Sequence, residues 1–414
     1  MIRNYLKVAL KVLARRKFFT FISLFGICIT LVVLMVVTAI LDNALAPHSP
    51  ETRSDRTLGV YALKMRGPEN VQKSEPGYGF LDRYARPLAA LPGVERFSIA
   101  STSQTAVSFL GGKRIESGLR RTDGEFWQIL DFQFLEGGPF TAEAERNAQF
   151  VAVINETTRQ RFFGGKPALG RTIEVDGQRF RVVGVVRDVP DLRFSSFSDI
   201  WVPISTAKSA SYKDKWMDSF QALILARGPA DLPAIKSEFQ ARLREAEGHL
   251  PDPKNFKTLT GGADTLFEGI VRSNVEELPP GAVRAVMFLL MLLFMLLPTL
   301  NLVNINLSRI LDRASEIGVR KAFGASSRAL VGQFVVENLV LTLIGAVAGL
   351  VLASLVLEAL NASGLIPYAQ LALNFRIFLY GLAMALFFGV LSAVYPAWRM
   401  SKLHPVQALR GRSV

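Results

Sequence analysis

The chain has 414 residues, half of them hydrophobic, and a net charge of +13. Its single cysteine, Cys28, excludes an intrachain disulfide, and its three histidines, His48, His249 and His404, are too far apart in the sequence to form a recognisable metal-binding motif. An excess of basic residues is common in nucleic-acid-binding proteins. Here the bases border long apolar stretches, so we expect no nucleic-acid partner.

The first 17 residues form a basic amphipathic segment. They contain six Lys or Arg residues and no acidic residue. Bases that recur every four residues share one face of a helix, and leucines occupy the opposite face. The bases are Arg3, Lys7, Lys11 and Arg15, and the leucines are Leu6, Leu10 and Leu13. We predict that residues 1–17 form a cytoplasmic helix on anionic lipid, and a further contact with a partner protein stays open.

Four apolar stretches are long enough to cross a membrane. They cover residues 18–41, 284–307, 330–357 and 375–397, and a helix needs about 20 apolar residues to span the hydrocarbon core. A signal peptide is the alternative interpretation of the first stretch. That stretch is too long for the apolar region of a signal peptide, and no small-residue cleavage pattern follows it. The sequence therefore predicts four membrane-spanning helices.

The positive charge lies on one side of these stretches. Residues 308–329 carry five bases and two acids, and residues 398–414 carry four bases and no acid. The long segment 43–283 is almost balanced, with 31 bases and 30 acids. Short basic loops stay in the cytoplasm, whereas large domains translocate largely regardless of charge. We predict cytoplasmic termini, a periplasmic domain over 42–283, a short outer loop over 358–374, and a bacterial inner-membrane location.

The predicted periplasmic domain has an α+β pattern with similar units near its two ends. A strand at Thr57–Met65, a helix that begins near residue 79 and a strand at Val94–Ala100 form the first unit. A strand at Phe220–Ala226, a helix at Pro229–Glu247 and a short strand near Phe256–Leu259 form the second. We interpret residues 57–104 and 206–262 as two halves of one split subdomain, followed by a stalk over 263–283.

Residues 105–205, between these halves, are predicted to form a strand-rich insert. Thr172–Val175 and Arg179–Val186 flank Asp176-Gly177, which predicts a hairpin with a tight turn, and Glu156–Phe163 is predicted to be a short helix. Gly111-Gly112-Lys113 lacks the remaining residues of a phosphate-binding loop. Because no hydrolase or nucleotide-hydrolysing motif occurs in the 414 residues, we expect no enzymatic activity in this chain and no bound cofactor or metal.

Several residues of the membrane stretches are candidates for packing or movement. Pro298 removes a backbone hydrogen bond from the second stretch and permits a bend, either as a passive kink or as a hinge. Glu337 is an acid inside the third stretch, where it either anchors the helix or takes part in a conformational change. Gly345 and Gly349 form a G-x-x-x-G pattern that allows close helix packing, within the subunit or between subunits.

The segment Asn304–Leu330 contains the most specific motif, SEIGVRKAFGAS. Its charged residues Arg309, Arg313, Glu316 and Arg320 recur at helical spacing, and Gly324 is expected to end the helix. Either a solvated connector or a docking helix at the membrane surface fits this pattern. The segment resembles the corresponding region of the MacB/FtsX-type ABC transporter permeases. The ending YPAWRMSKLHPVQALR and the periplasmic stretches DGEFWQILDFQFLEGGPF and VAVINETTRQRFFGG resemble the same family.

This resemblance implies that two permease subunits, identical or different, pair in the membrane and that each contacts a cytoplasmic ABC ATPase, which binds ATP-Mg. The family's contact with the ATPase is the helix between the second and third spans. It corresponds here to Arg309, Arg313, Glu316, Ile317, Gly318, Arg320, Lys321 and Gly324. ATP binding and hydrolysis are expected to move the periplasmic domain. A periplasmic adaptor and an outer-membrane channel join some such systems.

The C-terminal segment departs from the family pattern, in which an acid precedes Pro405 and another acid follows at the third position. Here these positions hold His404 and Gln407, and Arg410 follows. Pro405 and Gln407 still suit a helix start, but His404 is a poorer N-cap than an acid. We expect the helix to form with less negative charge, so an ionic contact of this tail with the ATPase is in doubt.

The expected function is export or efflux of a periplasmic or envelope substrate. A subunit that extracts lipoproteins and a regulator of a periplasmic cell-wall hydrolase are the alternatives that stay open. The large two-part outer domain favours the exporters, because regulators of this family carry a smaller one. An ion-coupled transporter or channel is disfavoured by the small number of charges inside the four stretches.

Overall fold

The computed structural model describes residues 11, 13–15, 17–274, 281–290, 292–293, 319, 323 and 326–401. The chain divides into two compact units. The membrane unit comprises residues 1–42, 284–365 and 371–414, and the outer unit comprises residues 43–283 and 366–370. Several predicted features lie outside the described residues: the docking helix, the C-terminal segment, Pro298 and most of the second apolar stretch.

Long helices form the described part of the membrane unit. Their bounds are α1 Lys17–Leu45, α9 Ser327–Ser363 and α10 Phe375–Ser401. The shorter apolar helix Gly281–Leu290, α8, begins at the end of the outer unit. Within the described residues, α1 and α9 are long and apolar enough to cross a membrane, by length and composition. The prediction of four spans therefore stays a prediction.

Both ends of α9 have clear capping signals. The Ser326 side chain accepts a hydrogen bond from the Ala329 backbone N–H, which satisfies one of the free donors of the first turn. Gly364 ends the helix with φ +65°, a left-handed conformation that costs glycine little. The helix therefore extends beyond the predicted apolar stretch at both ends.

Two glycines of α9 allow it to pack closely against α1. A Cβ added at Gly345 would lie 2.9 Å from Ile27 Cγ2, and one at Gly349 would lie 3.2 Å from Leu31 Cβ. Ile27 and Leu31 are buried in the same apolar cluster as Ala346. Small residues thus remove the volume that would otherwise separate these two helices, as helix packing in a membrane requires.

The outer unit is built from thirteen described strands and short helices. The strands are β1 Thr57–Val60, β2 Leu63–Arg66, β3 Val71–Ser74, β4 Val94–Ser101, β5 Gln104–Leu110, β6 Lys113–Thr122, β7 Phe134–Gly137, β8 Val151–Asn155, β9 Thr172–Val175, β10 Gln178–Val186, β11 Ile200–Pro203, β12 Phe220–Ala226 and β13 Thr258–Gly261. The helices are α2 over 78–90, α3 Phe126–Ile129, α4 Ala142–Arg146, α5 Glu156–Phe163, α6 Leu232–Glu247 and α7 Leu266–Asn274. Short 3₁₀ turns occupy Ser54–Arg56, Ile204–Thr206, Ala210–Asp214 and Pro229–Asp231.

Ten of these strands form one sheet in the order β1-β12-β4-β6-β11-β8-β10-β7, in which β5 also pairs with β6 and β9 with β10. Strand β12, from the end of the domain, lies between β1 and β4 from its beginning, so distant parts of the chain share one core. The sheet runs without interruption into the predicted insert. The boundary between split subdomain and insert therefore stays a prediction.

The single strand predicted over Thr57–Met65 is wrong. The chain leaves the large sheet after Val60, passes through Tyr61-Ala62, and enters a second, three-stranded sheet of order β13-β2-β3. The predicted strand near residues 256–259 also belongs to this small sheet, as β13. An apolar run of this length has no period that separates one long strand from two short ones in different sheets.

The other local predictions made for the outer unit are confirmed. Helix α5 has the predicted bounds and begins at an Asn155 cap whose side chain accepts from the Thr158 N–H. The β9–β10 hairpin turns at Asp176 and Gly177 with φ values of +47° and +71°. The helical segment α2 buries Phe80, Tyr84 and Leu88, but its turns pass from α through π to 3₁₀ geometry.

A buried ion pair fixes the chain where it leaves α1 and enters the outer unit. Arg193 Nη1 donates to Glu51 Oε2 at 3.1 Å, and both side chains are almost fully buried. The other Glu51 oxygen accepts hydrogen bonds from the Ser195 and Ser196 hydroxyls. Arg193 also donates to the backbone carbonyl of Ala46. All charged groups of this pair therefore have partners, which burial of two charges requires.

We expect Glu51→Ala to lower the free energy of unfolding of the outer unit by about 3–5 kcal/mol, because it leaves the Arg193 guanidinium buried without its counter-ion. The exposed pair Arg179–Glu174 supplies the control, and Glu174→Ala should cost less than about 1 kcal/mol. Denaturant unfolding followed by tryptophan fluorescence measures both. The double variant E51L/R193M should recover much of the loss; equal losses in E51A and E174A would contradict the assignment.

We expect Gly345→Leu to destabilise the membrane unit by about 1–3 kcal/mol, because the new side chain overlaps Ile27. Gly332 lies on the same helix, and a Cβ added there would have no atom of the described residues within 4 Å. Gly332→Leu is therefore the matched control and should be neutral or stabilising. Thermal unfolding of the detergent-solubilised protein compares the two variants. Equal melting temperatures would exclude close packing at Gly345.

Candidate functional site

The connection between β10 and β11, residues 187–199, forms a buried irregular loop, here named the junction loop. Ser195, Ser196, Ser198 and Asp199 within it are buried, as is Arg193. Loops normally run over the surface because water satisfies their backbone polar groups. A buried loop needs protein partners for those groups instead, and side chains of the large sheet supply them.

Arg120, on the central strand β6, satisfies three carbonyl groups of the junction loop. Its Nη2 donates to Phe194 O at 2.6 Å, its Nη1 to Ser195 O at 2.7 Å and its Nε to Phe197 O at 3.1 Å. The side chain is 1% exposed, and burial lowers the pKa of Arg120 to about 9. The guanidinium therefore stays cationic at neutral pH and holds the loop in one conformation.

Two further side chains complete this arrangement. Gln221 Nε2, on β12, donates to Ser195 O at 2.6 Å, and the indole N–H of Trp201, on β11, donates to Ser196 O at 3.3 Å. Both side chains are buried. The junction loop is therefore attached to three strands of the large sheet through its own backbone.

Residues 366–370, which connect α9 to α10, belong to the outer unit and bind the junction loop. Tyr368 Oη donates to Asp199 Oδ1 at 2.7 Å, and the Asp191 N–H donates to Pro367 O at 3.1 Å. The Tyr368 ring lies 6.0 Å from the Phe197 ring. Burial, together with donation to Asp199, raises the pKa of Tyr368 to about 12, so the hydroxyl keeps its proton at physiological pH.

Asp199 is a rigid acceptor because other groups fix it. Its Oδ2 accepts from the Gly118 N–H at 2.7 Å, and its Oδ1 also accepts from Asn155 Nδ2 at 3.0 Å. Asn155 is itself the cap of helix α5. Tyr368 therefore binds to a carboxylate that is held by two strands and a helix cap.

A cavity of about 520 Å³ lies beside the junction loop within the outer unit. Its apolar wall includes the aromatic rings of Tyr61, Phe194 and Phe197. The Tyr61 and Phe194 rings meet edge to face at 5.3 Å, which fixes their orientation. Concave sites of this volume with aromatic walls are typical small-molecule sites.

Two carboxylates line the same cavity. Glu75 Oε2 accepts from the Thr102 hydroxyl at 3.1 Å, and burial raises the pKa of Glu75. Burial also raises the pKa of Asp191, and the neighbouring charge of Asp199 adds to that effect. Lys73 and the enclosed Arg120 are basic residues of the lining. The cavity thus combines an apolar wall with partly dehydrated charged groups.

The residues proposed from the sequence lie elsewhere. Glu337 is buried in the membrane unit, where Gln333 Nε2 donates to its Oε1 at 3.1 Å, and Gly345 and Gly349 lie at the contact with α1. Two predicted sites lie outside the described residues, and so does Pro298. They are the residues proposed for ATPase coupling, from Arg309 to Gly324, and those proposed for the C-terminal contact, from His404 to Arg410. Their roles stay predictions.

Arg120 and Tyr368 were not predicted from the sequence. Arg120 is followed by a second arginine on a strand that ends in charged and polar residues, which is the usual pattern of an exposed strand end. Only its position in the centre of the sheet order shows that it must be buried. Tyr368 follows Pro367 in a short loop, and nothing in that loop indicates its contact with a residue 169 positions earlier.

The chain is similar in sequence to known permeases along most of its length. The MacB-like periplasmic core domain matches residues 20–242, and the FtsX-like permease C-terminal domain matches residues 288–405. The pyoverdine export ATP-binding/permease protein PvdT of Pseudomonas syringae pv. tomato is 27% identical over 407 residues, 98% of this chain and 59% of that protein. The macrolide export ATP-binding/permease protein MacB of Bdellovibrio bacteriovorus is 24% identical over 328 residues, 77% of this chain and 48% of that protein. The chain thus spans about half to six-tenths of the length of these relatives.

Among solved structures, the periplasmic region of MacB from Actinobacillus actinomycetemcomitans aligns with 54% of this chain and 94% of that region, at 14% identity and a TM-score of 0.39. The periplasmic core match covers more than half of the chain, and the second match covers the segments that follow it. The chain therefore belongs to the MacB/FtsX-like family of ABC transporter permeases, inner-membrane proteins with a periplasmic core domain.

Proposed function

We propose that this chain is the permease subunit of an ABC transporter whose ATPase is a separate cytoplasmic polypeptide. ATP-Mg binds to that ATPase, and this chain converts its cycle into movement of the periplasmic domain. Two permease subunits pair, both termini are cytoplasmic, and the system exports a periplasmic or envelope substrate. No nucleotide-hydrolysing motif occurs in the 414 residues, and the matched relatives are named ATP-binding/permease proteins, which supports dependence on an ATPase outside these residues.

One observation carries the mechanical part of this proposal. The segment that connects α9 to α10 is part of the outer unit, where Tyr368 and Pro367 bind the junction loop. The segment that leaves α1 is bound to the same loop through Glu51 and Arg193. Three predicted spans thus continue into chain segments that are attached to one buried loop. We expect a rearrangement of those helices to displace that loop through these attachments.

The ATPase partner is tested by affinity purification of the tagged chain from gently solubilised native membranes. We expect a roughly stoichiometric ATPase with Walker motifs. Glu316→Arg reverses a charge of the predicted docking helix and should remove the ATPase from the purified material while membrane insertion stays normal. Glu358→Arg makes the same charge change on an exposed site of the predicted outer side and should retain it.

Full retention of the ATPase in the Glu316→Arg variant would contradict the docking-helix assignment. Absence of any ATPase, even with a cross-linker and an ATP analogue, would contradict the proposed function itself. A periplasmic cell-wall hydrolase recovered in stoichiometric amount would identify the regulator alternative instead.

The mechanical link is tested with Tyr368→Phe, which removes the hydroxyl bonded to Asp199 and keeps the ring. We expect hydrogen exchange of the junction-loop amides to change between the nucleotide-free and ATP-trapped complexes of the unaltered protein, and this change to fall by at least half in the variant. Tyr380→Phe, at an exposed tyrosine of α10, is the control. An unchanged response in Tyr368→Phe would exclude transmission through this contact.

A further inference from the structure

The Tyr61 ring lies directly against the backbone at two glycines of different elements. Tyr61 is buried in the connection between the large sheet and the small one. A Cβ added at Gly59, on β1, would lie 2.1 Å from Tyr61 Cζ, and one at Gly269, on α7, would lie 2.3 Å from Tyr61 Cδ2. Non-bonded carbon atoms prefer a separation of about 3.5–4.0 Å. Glycine is therefore required at both positions, and the ring touches a strand and a helix without intervening side chains.

Hydrogen bonds hold the start of α7 against the same part of β1. Asp264 and Gly59 exchange two backbone hydrogen bonds of 2.8 Å. The Asp264 carboxylate also accepts from Nε and Nη2 of Arg272, within α7. In the first turn, the Thr265 N–H donates to Glu268 Oε2 at 2.9 Å, and the Glu268 N–H donates to Thr265 Oγ1 at 3.4 Å. This reciprocal pair is a capping box, which fixes where the helix begins.

The Tyr61 ring also contacts the junction loop. It meets the Phe194 ring edge to face, with 5.3 Å between the centroids. Phe194 and Leu266, the first residue of α7, both pack against the apolar cluster that contains Tyr61. The Phe194 carbonyl is held by Arg120. Tyr61 therefore touches α7 and the part of the loop that is fixed to the large sheet.

We propose that Tyr61 is a positioning residue that couples α7 to the junction loop, so that a shift of either element displaces the other. Because the Gly269 backbone lies against the ring, α7 cannot move along β1 unless the ring moves. The ring in turn cannot move towards the loop unless Phe194 moves, since close-packed groups leave no spare volume to absorb the shift.

The inference rests on the proposed function for its mechanical meaning. Along the chain, α7 precedes α8, with which the predicted second span begins. The segments that follow α1 and α9 are attached to the junction loop by other contacts. Coupling through Tyr61 adds the segment that leads to the second span, so that segments next to all four predicted spans act on one loop.

A tyrosine that only fills the core predicts a different result from a tyrosine that couples two elements. In the first case, a substitution loosens its own surroundings. In the second case, a substitution on α7 loosens the junction loop, a substitution in the loop loosens α7, and both remote effects need the ring. Hydrogen exchange measured by mass spectrometry on the full chain in nanodiscs, without ATPase, separates these cases. The amides of Ser196 and Phe197, which donate to Arg193 O, report opening of the loop.

Gly269→Ala places a methyl group against the Tyr61 ring. We expect the junction-loop amides to exchange about fivefold faster in this variant. Alanine is favoured over glycine inside a helix, so this loosening has to arise from the contact with the ring. Gly248→Ala is the matched control in the same unit. Its added Cβ would have Glu245 O, at 3.4 Å, as its nearest neighbour among the described residues, and the loop exchange should stay unchanged.

Phe194→Leu tests the coupling from the other end, and it does so even if Gly269→Ala fails to fold. Coupling free energies are reciprocal, so we expect the α7 amides to exchange about threefold faster. Phe197→Leu removes a ring from the same loop, but that ring faces Tyr368. The α7 exchange should therefore stay unchanged in Phe197→Leu.

Tyr61→Leu removes the ring, and in this background both remote effects should fall below about twofold. Tyr61→Phe keeps the ring and should preserve them. Absence of either remote effect in a folded variant, or its persistence without the ring, would overturn the proposal. Because the measurement uses no ATPase, such a failure leaves the proposed ATPase partner intact. Conversely, a failure to recover an ATPase leaves the coupling through Tyr61 intact.

Discussion

The outer unit depends on hydrogen bonds that satisfy the backbone carbonyl groups of one buried segment, the junction loop. The carbonyl groups of residues 194–197 point into protein rather than water, and each unsatisfied buried carbonyl costs about 1–3 kcal/mol. Arg120 donates hydrogen bonds to three of them, the carbonyls of Phe194, Ser195 and Phe197. Gln221 also donates to the Ser195 carbonyl, and Trp201 donates to the Ser196 carbonyl. Because these donors lie on β6, β11 and β12 of the large sheet, the backbone of the loop is held to the sheet at several points.

Because the junction loop is held to the sheet, its attachments to two other chain segments are important for the proposed mechanism. The segment after α1 reaches it through the buried Glu51–Arg193 pair, and the segment after α9 reaches it through Tyr368 and Pro367. Under the proposed mechanism, a loop held by the sheet would pass displacement of either segment to the sheet. Buried ion pairs add little net stability compared with apolar residues. We infer that the Glu51–Arg193 pair instead serves to fix one geometry of the segment after α1.

Much of the outer fold follows from local patterns in the sequence. The Asp176-Gly177 turn, the strand Phe220–Ala226 and helix α5 are confirmed because each carries its own signal: a turn dipeptide, an apolar run and an Asn cap. The division of Thr57–Met65 between two sheets was not predictable, because the partners of β1 and β2 come from the far end of the domain. Arg120 and Tyr368 were missed for the same reason, since their roles depend on long-range pairing.

In the membrane unit, the G-x-x-x-G pattern predicted close helix packing at Gly345 and Gly349 but left open whether it occurs within the subunit or between subunits. The structure places both glycines against α1 of the same chain. It left open what Glu337 does, and the bond from Gln333 shows an acid with a partner on the preceding turn. A hydrogen-bond partner on the same helix is what the anchoring alternative expects of this acid, and its role stays a prediction.

The energies available at the junction loop are sufficient for control of a conformational equilibrium. A hydrogen bond to a charged acceptor, such as Tyr368 to Asp199, contributes about 1.5–3 kcal/mol. Coupling free energies between distant sites in proteins are typically about 1–3 kcal/mol, which corresponds to population changes of about 5- to 150-fold. Under the proposed mechanism, one such bond, made in one state of the helices and broken in another, would bias the outer unit by an amount comparable to that of a typical effector.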